Sequence, residues 1–234
     1  MRGEFNMNDI FVYPLQNSKE YKDIINCINN NKGSLLINGL LAVQKPHIAY
    51  SMYRDLNRQT IFITNSDLEA KKVYDDLSFY MKDKVEYIGF QDILFYHLDA
   101  KDRSEEAKRL KVLLKLAKGE NIILVTSIEA VMRKYIPKEI LLENIYTYKI
   151  GDVINLEKLS ETLVNLGYER VSKIEGFGQF SIRGGIVDIF SLEYNNPIRM
   201  ELFDDEIDSI RTFDVFSQKS IEKINKFSIT PSRE

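Results

Sequence analysis

The chain turns on residues 176–192, GFGQFSIRGGIVDIFSL, and on their continuation at 197–220, PIRMELFDDEIDSIRTFDVFSQKS. Phe180 and Ile182 alternate with Ser181 and Arg183, the period of two that marks a strand with one buried face. Gly184-Gly185 interrupts the alternation and 186–190 resumes it, so the glycine pair reads either as a tight hairpin turn or as a bulge. Arg183 stands beside that break, on the face opposite Ile182. A charged side chain seldom enters a core unpaired, so Arg183 is expected to point to water or to a partner. The acidic run 201–208, ELFDDEID, reads as strand and turn with a solvated charged face. A cation site needs a convergent ligand set, which spacing alone does not show, so no metal is expected.

Upstream the pattern changes. Tyr21, Ile24, Ile25 and Ile28 follow the i, i+3, i+4, i+7 spacing of an amphipathic helix closed by Gly33. The stretches 34–38 (SLLIN), 60–64 (TIFIT), 85–89 and 122–126 (IILVT) read as four short apolar strands. Helices are expected between them: one begun by Pro46 and running to about Arg58, one capped by Asp67, and a Leu- and Lys-rich one over 104–118. Residues 91–101 read as a loop, and Ser127 caps a short helix. Continuous apolar strands alternating with helices imply a parallel sheet covered on both faces. Further on, 145–150 reads as a strand, Asn155 caps a helix with Leu156, Leu159, Leu163 and Leu166 on one face, and Gly167 stops it. Short strands and turns dominate from Tyr168. The expected class is therefore α/β: a parallel-sheet domain over 1–136, then a smaller α+β antiparallel domain over 137–225.

The segment 39–46, GLLAVQKP, sits between strand and helix where a phosphate-binding loop would sit, but departs from G-x-x-x-x-G-K-[ST]. Gly39 and Lys45 are present. Gln44 stands where glycine must let the backbone fold around phosphates, and Pro46 replaces the hydroxyl that binds magnesium and lacks an N–H. No D-E-x-H sequence occurs. The first domain thus reads as a degenerate P-loop, RecA/helicase-like fold whose loop is vestigial, with no catalytic residue and no cofactor.

At 234 residues the chain can bury a sizeable core, and its 44% hydrophobic and 29% charged content is ordinary for a globular protein. A net charge of −3 argues against a dedicated nucleic-acid-binding domain, which usually carries a basic surplus, and makes protein recognition the better expectation. The single cysteine, Cys27, allows no internal disulfide. With no secretory signal legible, a cytoplasmic location is expected.

The motif FSIRGGIVDIF, a short spacer and PIRMELFDDEIDSIRTFDVFSQKS closely resembles one shared by two kinds of bacterial nucleotide-excision-repair protein. These are the helicase-like subunit UvrB and the amino-terminal, UvrB-like module of transcription-repair coupling factors (Mfd). UvrB carries an intact phosphate loop and a long aromatic DNA-gripping hairpin. The degenerate loop and the short segment 91–109 are similar to the coupling-factor module instead. That resemblance implies a piece of a longer protein, with 226–234 beginning a return segment to the first domain. It also implies a non-catalytic adaptor that recruits UvrA by mimicking UvrB in transcription-coupled repair, with RNA polymerase and DNA bound by regions outside this chain.

Family positions that dock on UvrA match Arg170 in GYER, Arg183 in SIRGG and, more weakly, Phe190 in DIF. Arginine's planar fork suits carboxylate partners at interfaces. Arg170 has an ordinary ion pair with Glu169 or Glu175 as its alternative, and Phe190 has a core position. UvrB places a further arginine where this chain has Ser181. Two other functions stay open on the residues: a P-loop ATPase with an unusual loop, and direct DNA binding through the helix at 101–118, where Glu105 and Glu106 interrupt the basic residues.

Overall fold

The computed structural model describes residues 9–30, 33–90 and 99–233. In chain order it comprises helices α1 (Asp9–Gln16), α2 (Lys19–Asn29) and α3 (Gln44–Leu56), strand β1 (Thr60–Thr64), helix α4 (Asp67–Tyr80) and strand β2 (Val85–Ile88). Helix α5 (Asp99–Ala117), strand β3 (Ile123–Ser127), helices α6 (Ile128–Val131) and α7 (Lys138–Glu143), strand β4 (Tyr146–Lys149) and helix α8 (Leu156–Asn165) follow. The chain then runs through β5 (Glu169–Arg170), β6 (Gln179–Arg183), β7 (Ile186–Ile189), β8 (Ile198–Phe203), β9 (Glu206–Phe213), β10 (Ser220–Lys223) and β11 (Lys226–Ile229). The class is mixed α/β with parallel and antiparallel sheets, and the chain divides into two compact units. One holds the chain before residue 95 together with 119–134; the other holds 95–118 and the chain from 135 onward. No helix among the described residues is long and apolar enough to cross a membrane.

In the first unit, β1, β3 and β2 form a parallel sheet in that order. Phe62, Val85, Ile123 and Val125 on one face pack with Tyr50 of α3 and with Ala70, Val73 and Leu77 of α4. The sequence reading differs from this unit in three places. The stretch 34–38 is not a strand: it pairs with nothing in the sheet, and Leu36 is 81% exposed. Five apolar residues between turns have strand composition, but a strand exists only where its backbone finds a ladder partner. The second face of the sheet is covered only in part: Leu124 and Thr126 of β3 are buried there, while Ile61 and Ile63 of β1 stay about half exposed. Finally, Ser66 rather than Asp67 caps α4, accepting the Glu69 N–H at 3.3 Å, while Asp67 accepts the Phe90 N–H at 2.9 Å. Either residue has capping chemistry, and the turn of the chain decides which does it. Most of the loop expected at 91–101 lies outside the described residues.

In the second unit, six strands run in the order β10-β9-β8-β7-β6-β5, antiparallel except for the parallel pair β5 and β6. Strand alternation puts Phe180, Val187, Ile189, Ile198, Met200 and Ile210 in one core, which Leu159, Leu163 and Leu166 of the α8 region cover. As expected, Asn155 caps α8 by accepting the Lys158 N–H at 2.9 Å, and Gly167 ends it at φ +85°. The acidic run 201–208 is the end of β8, a turn and the start of β9, again as read.

Two stretches pack elsewhere than expected. Helix α5, placed within 1–136, belongs to the second unit, where Leu110, Leu114 and Ala117 meet Leu141 and Leu192. Residues 226–229, expected to begin a return to the first domain, are β11, which pairs antiparallel with β4 inside the second unit. The helices α1 and α7 were not legible beforehand. Pro14 inside α1 argues against a helix on sequence grounds, and α7 has only 6 residues.

Candidate partner-docking site

The site is built on the β6–β7 hairpin. Arg183 and Ile186 close it in register around the two glycines, and Gly184 has φ +59°, the positive value a two-residue turn with glycine first requires. Gly185 lies against β8: it accepts the Leu202 N–H at 2.8 Å, and a Cβ there would meet the Leu202 carbonyl oxygen at 3.0 Å. The glycine pair is therefore a hairpin turn. It leaves the Arg183 side chain 50% exposed on the sheet face opposite the apolar core.

On that face, register aligns Ser181, Asp188, Arg199 and Arg211 across four strands. Asp188 is buried, and both its oxygens are taken. Arg199 Nε donates to Oδ1 at 2.6 Å and Arg199 Nη2 to Oδ2 at 2.8 Å; Arg183 Nη2 also donates to Oδ2 at 2.8 Å. Arg199 further donates to Gln218 Oε1 at 3.1 Å, and its guanidinium lies over the Phe213 ring at 4.3 Å. The hydrogen bonds to Asp188 raise the Arg199 pKa above its ordinary value, against the opposing effect of burial. In the next row Glu201 accepts hydrogen bonds from Arg211 and from Ser209. Sequence reasoning found Arg183 but not Asp188 or Arg199. The pattern that could have shown them is a lone acid in an otherwise apolar strand, IVDI, beside an arginine strand, IRME.

Arg170 is exposed on the edge strand β5 and makes no ion pair among the described residues. It stands in register with Phe180, a core residue, so alternation places Arg170 and Arg183 on opposite faces of the sheet. Phe190 is 5% exposed, and Phe177, 51% exposed, packs on it with ring centroids 4.2 Å apart. Phe177 is thus the aromatic side chain open to solvent here. With Lys108, Lys111 and Leu192 it lines a cavity of about 390 Å³.

The expected vestigial nucleotide loop lies in the other unit. Gly39 has φ +85°, and Lys45 and Pro46 fall in the first turn of α3, where Pro46 is buried. Three backbone N–H groups of this segment are engaged locally. Gln44 Oε1 accepts the Leu41 N–H at 2.9 Å, Leu41 O accepts the Gln44 N–H at 3.0 Å, and Ala42 O accepts the Lys45 N–H at 3.3 Å. The adjoining cavity is walled by Ile37, Leu40, Ile48, Met52 and Phe62. Among the described residues, no three or more His, Cys, Asp or Glu side chains converge to hold a metal ion.

Residues 147–234 match the family described as the UvrB interaction domain. The chain as a whole is similar to transcription-repair coupling factors. It is 33% identical to that of Bacillus subtilis over 221 residues, which is 94% of this chain and 19% of that protein. It is 33% identical to the Staphylococcus epidermidis factor over 86% of this chain and 17% of that one. Against the Staphylococcus haemolyticus factor the identity is 30% over 94% of this chain and 19% of that one. The chain therefore spans about a fifth of the length of the relatives it matches. These matches bear out the resemblance read from the residues, to the amino-terminal, UvrB-like module of a coupling factor.

Proposed function

We propose that this chain is a non-catalytic adaptor module that recruits UvrA, by presenting the surface UvrB would present, to RNA polymerase stalled at a lesion. The observation that carries this reading is the coincidence of the UvrB interaction match, 147–234, with the sheet on which Arg183 is held half in solvent. An arginine fixed on a strand and open on one side suits a partner carboxylate. Contacts with RNA polymerase and DNA belong, in this reading, to parts of a coupling factor outside the fifth that the chain matches.

The first unit is read as a helicase-like domain whose phosphate loop is degenerate. In support, Gln44 and the turn carbonyls already accept the N–H groups of Leu41, Gln44 and Lys45. The alternative of DNA binding through α5 finds less support, because the buried stripe Leu110, Leu114 and Ala117 occupies one face and Glu105 pairs with Lys108 on another. Calorimetric titration with purified UvrA tests the proposal: saturable binding displaced by UvrB is expected. Absence of binding by a folded chain, or binding that UvrB does not displace, overturns it.

A further inference from the structure

We infer that Asp188 is a positioning residue for docking: together with Arg199 it holds the Arg183 guanidinium in the pose that meets an acidic group of the partner. The inference rests on the docking reading above and deepens it. Two guanidinium groups share one buried carboxylate, so the cluster carries one positive charge in excess. Arg199 is 15% exposed and Arg183 50%, which puts the excess charge at the surface on Arg183. Arg183 spends only Nη2 on Asp188, and among the described residues its Nε and Nη1 make no hydrogen bond. Nη2 carries a second N–H, and with Nε or with Nη1 it forms a two-donor edge that can receive a carboxylate.

The support behind Arg183 is continuous. Asp188 cannot swing, because Arg199 holds both of its oxygens. Arg199 is held in turn by Gln218 and by the Phe213 ring. Gln218 is anchored through its Nε2 donation to Val215 O at 2.7 Å and sits at φ +60° in the turn before β10. A long surface side chain normally loses rotamer freedom when it binds, and fixing it beforehand removes that penalty. The turn at 214–219, far from Arg183 in sequence, thereby governs how well Arg183 binds.

The test is a binding cycle on the full chain with UvrA, using Arg183→Ala, Asp188→Asn and the double variant, each first shown to unfold cooperatively. Asp188→Asn keeps the shape but loses the charge and an acceptor. It is expected to weaken binding about tenfold, within the range of couplings between contacting residues. In the Arg183→Ala background the same change is expected to add nothing. Gln218→Ala, which disturbs the support from its far end, provides the second variant should Asp188→Asn not fold. It is expected to lower both the affinity and the order of the Arg183 side chain, measured by 15N relaxation at Nε. Equal losses from Asp188→Asn in both backgrounds, or an Arg183 side chain equally ordered with and without Gln218, would overturn the positioning role. If Arg183→Ala itself leaves binding unchanged, the docking reading at this face fails and takes the inference with it.

Discussion

The ring of Phe177 packs on that of Phe190 with centroids 4.2 Å apart, the outer ring half exposed and the inner one buried. The two aromatics therefore have different duties, and truncating them separates stability from binding. Phe190→Ala is expected to destabilise the second unit by about 3–5 kcal/mol, the usual cost of a cavity where a phenyl ring was. Phe177→Ala, removing a half-exposed ring, is expected to cost roughly 1 kcal/mol and to weaken UvrA binding. Urea denaturation of each variant, followed by titration of UvrA, checks both. A Phe190→Ala protein as stable as wild type contradicts the core assignment.

Arg183→Ala is expected to lower UvrA affinity by about 2–4 kcal/mol, as for an interface hot spot that leaves an acidic partner unpaired. Its own stability should change by about 0.5–1 kcal/mol, because Arg199 still satisfies Asp188. Arg183→Lys should recover only part of the affinity, since an ammonium lacks the planar fork. Equal affinity of all three proteins would remove Arg183 from the interface.

Tyr168 donates its hydroxyl to the Thr230 carbonyl at 2.9 Å inside the second core, and burial pushes its pKa up from 10.0 to about 12. A folded-state value above the unfolded one means that the folded chain keeps its proton longer. The stability this contributes is whole below pH 10 and is lost as pH rises towards 12, by roughly 2–3 kcal/mol. Tyr168→Phe should be about 1 kcal/mol less stable at neutral pH for want of the hydrogen bond. The gap should then close or reverse between pH 10 and 12. Denaturant midpoints of both proteins across that range decide the matter, and a gap independent of pH would count against it.

Lys45→Ala is expected to change stability by no more than about 0.5 kcal/mol, since Lys45 is exposed and no phosphate cradle surrounds it. Calorimetry with magnesium and ATP should show no saturable heat in either protein. Micromolar binding that disappears in Lys45→Ala would restore the nucleotide-binding reading.

Leu114→Ala is expected to cost about 2–5 kcal/mol and to act on the second unit, because Leu114 is buried against the cluster that contains Leu141 and Leu192. For the same reason a chain cut to residues 140–234 should melt below the full chain. Thermal melts of the two, with UvrA binding below both transitions, check this. A fragment as stable as the whole would show that α5 contributes nothing to that unit.

Much of the second unit was legible. Its strands alternate with period two, Asn155 and Gly167 bracket α8 by side-chain chemistry and positive φ, and the glycine pair marks the break between β6 and β7, which the structure makes a turn rather than a bulge. These are local signals, set by residues within a few positions of one another. The first unit was less so. A run such as SLLIN has the composition of a strand, but composition does not supply the partner that makes it one.

By itself the sequence determined the mixed α/β class, the family motif, the departure of residues 39–46 from a phosphate-loop pattern, and Arg183 as a charge beside a glycine break. Tertiary structure alone decided what surrounds that charge. Asp188, Arg199 and Gln218 lie 5, 16 and 35 positions from Arg183 in the chain; strand pairing stacks Asp188 beside Arg199, and the turn before β10 brings Gln218 to Arg199. It also decided that Phe190 is buried beneath Phe177, and that α5 joins the second unit rather than the first. The physical reason is common to all three. Burial and ion pairing depend on which distant backbones come side by side, and residue type records only what a position tolerates, not which neighbour it meets.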